Sequence, residues 1–414
     1  MATSTQRSNA NDQAFDRLTK ADPVLIDVGP AIEVVPGMTE NTVLTSGPPL
    51  PWEGYQGGQR DAVIGGALFE GLAKTAEQAA EGFASGRLKV DGCHDYGCVG
   101  SLAGIYTASM PVFVVRNETN GNVGYCNIYE GTSPKRLNYG VYDEEVRERL
   151  EFVGSRIAPV IGAATRALGG VPLKSIMSRA LHMGDELHSR NTAASLLFAR
   201  ELIPAMFDLP ETPTGDIKET IDILTKDHYF FLRLSMAAAK CIADAAHGIE
   251  HSSIVTAMCF SCAEFGIRVS GLGDEWIRGP HASVTAKLFE GHTEDEISWM
   301  GGESPITETV GLGGFAQAAA FPLQNYQGGD PQAMVDRNVE LYGITHGEHP
   351  DFHIPFLKYR GTPTGIDVFK VAETGILPMM DIGIAGSGGG QIGAGTVRAP
   401  LECFEAAVAK FNGV

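Results

Sequence analysis

From Asp143 to His247 the chain all but stops signalling strands, and this constrains its fold more than any other feature. Amphipathic segments follow one another at residues 143–168, 172–190, 191–207 and 215–247. Breakers separate them at Gly169-Gly170 and between Pro210 and Gly215. The flanking stretches read differently. Before the helical block, Pro23–Val28, Thr42–Thr45 and Met110–Arg116 are β-branched runs expected to be strands, and Asp61–Gly82 has helical spacing. After it glycine returns, with a strand-like Phe265–Ser270 and mixed structure to the end. The expected fold is α/β (α+β) and multidomain, two mixed lobes with a mostly helical domain between them. Its divisions are a disordered polar tail at 1–12, an α/β domain at 13–142, a helical domain at 143–250 and a second α/β domain at 251–414. A chain of 414 residues exceeds one typical core.

Charge and cysteine content narrow the partners. A net charge of −19 argues against nucleic acid and anionic membrane surfaces, which need basic protein surface. An anionic substrate then requires a local positive pocket inside an acidic shell. No apolar run approaches membrane-spanning length, and the N-terminus lacks a signal-peptide pattern. Seven cysteines, an odd and scattered set, fit a reducing cytoplasm.

The richest local signal lies near the C-terminus, where seven glycines fall between Gly383 and Gly395, followed by Thr396 and Arg398. Glycine backbone can converge its amides on an anion, and arginine adds a planar charged fork. Gly388, Gly390, Gln391, Gly393, Gly395, Thr396 and Arg398 are therefore candidate phosphate ligands. The expected geometry is a strand, an anion-cradling loop and a closing helix over Leu401–Phe411, with Pro400 at its start. The dinucleotide fingerprint G-x-G-x-x-G is matched at Gly388–Gly393, but the chain ends too soon for the second strand and acidic residue it needs.

Three further clusters carry chemistry-bearing side chains. Met183-Gly-Asp-Glu-Leu-His-Ser-Arg-Asn191, read as helix, pairs Asp185 with His188 on one face and Glu186 with Arg190 on the next. The first pair suits a general base or two metal ligands. Cys93-His-Asp-Tyr-Gly-Cys-Val-Gly-Ser-Leu-Ala-Gly104 sets His94 in a glycine loop, but without C-x-x-C spacing. His346-Gly-Glu-His-Pro-Asp-Phe-His353 holds three histidines, yet Pro350 bars a shared helical face, so a polar surface loop is expected. Arg268 lies in a strand-like run, and Thr307 and Glu308 precede another glycine run.

Several of these strings together resemble the AllG/YlbE-like family. They are the Ser46-Gly-Pro-Pro turn with Trp52, Leu68-Phe-Glu-Gly71, the His94 loop and Asn127-Ile-Tyr-Glu-Gly131. To these add the Asp185–Asn191 segment, Phe265-Gly-Ile-Arg-Val-Ser-Gly-Leu-Gly273, Ile306-Thr-Glu-Thr309 and Gln391–Pro400. The resemblance runs in order over nearly the whole chain. It implies α/β lobes with a helical domain. It also implies a component of oxamate carbamoyltransferase, which moves a carbamoyl group from oxalurate to phosphate with FdrA-like and AllH-like partner subunits.

Carbamoyl transfer needs a phosphate site, donors for a developing oxyanion and a proton for the leaving nitrogen. The glycine-rich loop with Arg398 answers the first need, His94 or Arg268 the second, and Asp185, Glu186 and His188 or Glu308 the third. Arg190 and Asn191 add substrate contacts. No G-x-S-x-G elbow is present, an absence that direct attack by phosphate would explain. No cofactor is required in this reading. The alternatives are a hydrolase of a cyclic amide or ureide, using a divalent metal on Asp185 and His188, and a non-catalytic scaffold subunit. In each case an oligomer is expected.

Overall fold

The computed structural model describes residues 3–281 and 284–413. It is mixed α/β, with five sheets among the described residues. The largest orders its strands Cys98–Val99, Val123–Asn127, Pro111–Asn117, Pro23–Pro30 and Val171–Pro172. It is antiparallel except for the pairing of Cys98–Val99 with Val123–Asn127. A second sheet orders Val284–Leu288, Gln391–Arg398, Met379–Gly386 and Ile297–Ser298. The strands Val255–Phe260, Phe265–Val269 and Ile277–Gly279 form a third.

The spine is the helix Leu232–Ala245, buried along nearly its whole length. Its many alanines let it lie close to the first sheet, and one glycine sets the approach. A Cβ on Gly124 would stand 2.7 Å from the carbonyl oxygen of Ala237. The helices expected between 143 and 247 are present, in more pieces. Glu144–Phe152 and Ala158–Ala167 are joined by a π-helical turn, Val153–Ile157. Pro159, which has no N–H to donate, follows that turn, and a wider turn absorbs the missing bond. The last block divides into Thr214–Lys226 and Leu232–Ala245. These helices share one hydrophobic core with the first sheet rather than enclosing their own. A second core lies between the strands of the C-terminal half and the helix Leu401–Phe411.

Five local expectations are corrected. Residues 4–12, read as disordered tail, begin the helix Ser4–Lys20, whose N-cap Thr3 forms a capping box with Gln6. Asn11 anchors that helix, donating to Ser253 Oγ at 2.9 Å and Asp367 Oδ2 at 3.2 Å. The run Asp61–Gly82 splits into Gly57–Phe69 and Ala76–Ala84. The segment 172–190 is helical only over Leu173–His182, so Asp185–Asn191 is a loop. His346–His353 lies in the strand Thr345–Ile354, with His349 buried and His346 bonded to Asp12. Strand pairing satisfies the backbone there without asking a proline-containing run to form a helix.

The fifth correction concerns the glycine run, which is a β-hairpin of Met379–Gly386 and Gln391–Arg398 rather than an anion-cradling loop, while the closing helix Leu401–Phe411 follows Pro400 as expected. Its glycines admit a neighbouring strand. A Cβ on Gly395 would stand 2.2 Å from the carbonyl oxygen of Thr285, and one on Gly393 2.6 Å from that of Lys287. At the turn, the amides of Ser387, Gly389 and Gly390 donate to the carbonyls of Glu296, Gly386 and Tyr139. Amides already spent on carbonyls do not form an anion cradle.

Candidate functional site

The loop after His182 owes its shape to its carboxylates. Glu186, fully buried, accepts the backbone N–H groups of His188 at 3.1 Å and Arg190 at 2.9 Å, and also that of Ser189. Asp185, fully buried as well, accepts from Ala194 N at 2.8 Å and from Arg190 Nη1 at 3.1 Å. It thereby serves the N-terminus of the helix Thr192–Phe207, which its own N-cap, Asn191, leaves without a side-chain bond. Asn191 instead donates to His188 O at 2.8 Å. Gly184 at φ 96° and Leu187 at φ 72° make the reversals, the second strained for a leucine. Ser235 of the spine helix ties Leu187 down by donating to its carbonyl at 2.8 Å.

This folding delivers the His188 ring to Glu308, with Nδ1 and Oε1 2.8 Å apart and both side chains buried. Glu308 also accepts from Thr307 Oγ1, Gly314 N and Asp381 N, so its orientation is set from three sides. Burial pulls the His188 imidazolium down, but the charge and hydrogen bond of Glu308 outweigh it and the net displacement is upward. Nearby carboxyls are raised too, by burial itself. Burial pushes Asp185 up to about 7 and raises Glu186, which Asp381 then raises further.

His188 opens on a pocket of about 50 Å³. Two arginines stand in its walls, Arg136 at 7% and Arg233 at 3% exposure. Arg136 donates to Tyr129 Oη and Gln391 Oε1, each at 2.9 Å, and lies over the Tyr139 ring at 4.4 Å. Arg233, near the start of the spine helix, donates to Ser101 Oγ. Among the described residues neither guanidinium has an ion-paired carboxylate, and the Nε of each is buried without a partner. Tyr229, Tyr326 and Ser304 complete the polar lining.

The expected site residues therefore separate. His188, Glu308 and Gln391 meet at this pocket, with Asp185, Glu186, Arg190 and Asn191 shaping the loop behind it. His94 and Arg268 line a different cavity, of about 170 Å³, with Lys240 and His247. There the Arg268 guanidinium pairs with Asp95, and His94 is buried with both ring nitrogens unbonded. Gly388 and Gly390 lie in the hairpin turn, and Gly393 and Gly395 pack on the neighbouring strand. Thr396 and Arg398 line a third cavity. As metal ligands Asp185 and His188 do not form a set. The oxygens of Asp185 serve Arg190 and Ala194, and His188 Nδ1 serves Glu308. Among the described residues no three His, Cys, Asp or Glu side chains converge as ligands.

Arg136, Arg233 and the tyrosines were missed by sequence reasoning. For Arg233 a signal existed. The segment Leu232-Arg-Leu-Ser-Met-Ala-Ala-Ala-Lys240 sets a cation in an otherwise apolar helix, which marks a buried charge with a task. For Arg136, flanked by Lys135 in a polar loop, there was none.

Comparison with known proteins places these features in a family. The model of "Oxamate carbamoyltransferase subunit AllG" matches residues 88–304. The protein of that name from Escherichia coli (strain K12) is 39% identical over 98% of this chain and 97% of its own length. "Uncharacterized protein YahG" of the same organism is 40% identical over 96% of this chain and 84% of its length. A solved structure described as a conserved protein of unknown function from Enterococcus faecalis V583 is similar at a TM-score of 0.96 and 38% identity, covering 100% of this chain and 99% of that one. No helix among the described residues is long and apolar enough to cross a membrane. With these identities extending over nearly its full length, the chain belongs to the family of the oxamate carbamoyltransferase subunit AllG.

Proposed function

We propose that this chain supplies the reaction pocket of a carbamoyltransferase that moves a carbamoyl group between a ureido acid, such as oxalurate, and phosphate. The observation that carries this reading is the pair of buried arginines, Arg136 and Arg233, which have no ion-paired carboxylate among the described residues. Burying an unpaired guanidinium is costly, and an anionic reactant repays that cost where a structural role would have supplied a carboxylate. The pocket, of about 50 Å³, suits a compact anionic group.

In the forward direction a phosphate oxygen attacks the ureido carbonyl carbon, and the C–N bond to the departing oxamate nitrogen breaks. The electron pair of that bond goes to nitrogen, which takes a proton. In this reading His188, whose pKa Glu308 raises through contact at 2.8 Å, gives that proton. Arg233 and Arg136 supply donors for the anionic oxygens and for the developing oxyanion. Direct attack by phosphate suits a chain in which all seven cysteines are buried and burial holds every thiol pKa up, leaving no ready thiolate. The word "subunit" in the relative's name supports assembly with partner chains, in this reading FdrA-like and AllH-like proteins.

The test is to incubate the purified chain, alone and with those partners, with oxalurate and phosphate, and to assay carbamoyl phosphate. Phosphate-dependent product is expected from the assembly. Arg233→Gln is expected to raise KM by roughly 10- to 150-fold, the loss of ~1.5–3 kcal/mol that a charged hydrogen bond provides. Failure of the complete assembly to form the product would remove this reading.

A further inference from the structure

Thr396 and Arg398 are not used by the pocket just described, and they share a face of one strand because alternate residues do. That face opens on a cavity of about 650 Å³. Thr396 is 8% exposed, lines the cavity, and its hydroxyl bonds to no described residue. Arg337, on the helix Pro331–Leu341, reaches the same cavity with its Nε buried and without a partner. Arg398 donates to Leu377 O at 3.0 Å and to Glu340.

Another wall is the start of the helix Leu401–Phe411. Its N-cap, Pro400, makes no side-chain bond, so the first-turn amides face outward with the positive end of the helix dipole. An uncapped helix start is not a site in itself. Here it faces the side chain of Thr396, a residue 8% exposed, and the Arg337 guanidinium, neither of which is bonded by its side chain to a described residue. Glu402 is on the same wall and opposes an anion, while Glu340 is already neutralised by Arg398.

We propose that this cavity is a second anion-binding site, which takes the phosphate or carboxylate group of a small metabolite. Thr396 and Arg337 bond the oxyanion, the amides at the helix start receive it end-on, and Leu377 and Met379 pack the body of the ligand. The site is separate from the His188 pocket. Thr396 lies five residues beyond Gln391 on one strand, about 17 Å along it.

The experiment isolates this site by titrating the full-length Arg233→Gln variant calorimetrically, with inorganic phosphate in one arm and malonate in the other. Binding of either at millimolar concentration is expected, and the arm that binds identifies the group. Adding Arg337→Gln or Thr396→Val is expected to weaken it by about tenfold. The second variant is isosteric and guards against loss of fold. Glu402→Gln is expected to tighten binding. If neither anion binds, or if binding is the same with and without both substitutions, the proposal is overturned, whatever the activity of the His188 pocket.

Discussion

Two places along the spine helix hold the same ingredients and use them differently. Arg233 and Lys240 are seven residues apart, two turns along one face and about 10.5 Å in distance. Each borders a cavity that has a histidine near a buried glutamate. Near Arg233, His188 touches Glu308 at 2.8 Å, and among the described residues Arg136 and Arg233 have no ion-paired carboxylates. Near Lys240, His94 stands 4.0 Å from Glu303. Lys240 there bonds Asp244 at 2.8 Å, and Arg268 pairs with Asp95. Burial, reinforced by the charges of Lys240 and Arg268, holds His94 well below the usual imidazole range, whereas Glu308 raises His188. The number of cations does not decide which cavity suits an anion. What decides is which cations the protein has already neutralised, and whether the histidine has a carboxylate in contact.

The contrast breaks most visibly at Glu308. Glu308→Gln removes the charge that opposes burial at His188, so the imidazole pKa falls. Turnover that needs the protonated ring declines as pH rises through that pKa, and in the variant this alkaline limb moves to lower pH. Activity at neutral pH is expected to drop by ~10²–10⁴-fold. An unchanged pH–rate profile would show that His188 is not the proton donor.

Glu303 probes the other cavity through stability. It accepts Gly100 N at 2.8 Å and Gly47 N at 3.2 Å, yet burial pushes its pKa up from 4.5 to about 8. The folded state therefore keeps a proton that the unfolded chain releases. The resulting stability is full at acid pH and is lost as pH rises between 4.5 and about 8. Glu303→Gln is expected to remove a decline on the order of 2–4 kcal/mol between pH 5 and 8, measured by denaturant unfolding at the two pH values. Parallel declines in the two proteins would mean that Glu303 is ionised when folded.

The smallest effect is expected from Asp95→Asn. It frees the Arg268 guanidinium, so calorimetry is expected to detect one additional weak phosphate site with turnover unchanged. Without such a site, neutralisation by Asp95 is not what silences the His94 cavity.

The division into mixed and helical stretches was legible because it rests on local periodicity. Strands at Thr42–Thr45 and Phe265–Val269, and the helix Thr192–Phe207, lie where the pattern put them. The Asp185–Asn191 segment was legible as a dense polar cluster and misread as a helix. Met183 and Leu187 continue helical spacing, but the three amides gathered by Glu186 hold a loop instead. Among glycines, the pattern did not distinguish a ligand-cradling backbone from one that admits a neighbouring strand, since both require a missing Cβ. Arg136 was unreadable for a related reason, because a surface arginine and a buried one are the same letter until the fold encloses one of them.

The sequence by itself determined the class of fold and the family, because propensity, periodicity and residue identity are properties of short stretches. Only the tertiary structure decided that His188 meets Glu308 and that Arg136 and Arg233 share a pocket while His94 and Arg268 share another. It alone also decided that Thr396 and Arg398 face a third cavity. Those outcomes depend on desolvation and on contacts between residues more than a hundred positions apart, and neither is encoded in any local pattern.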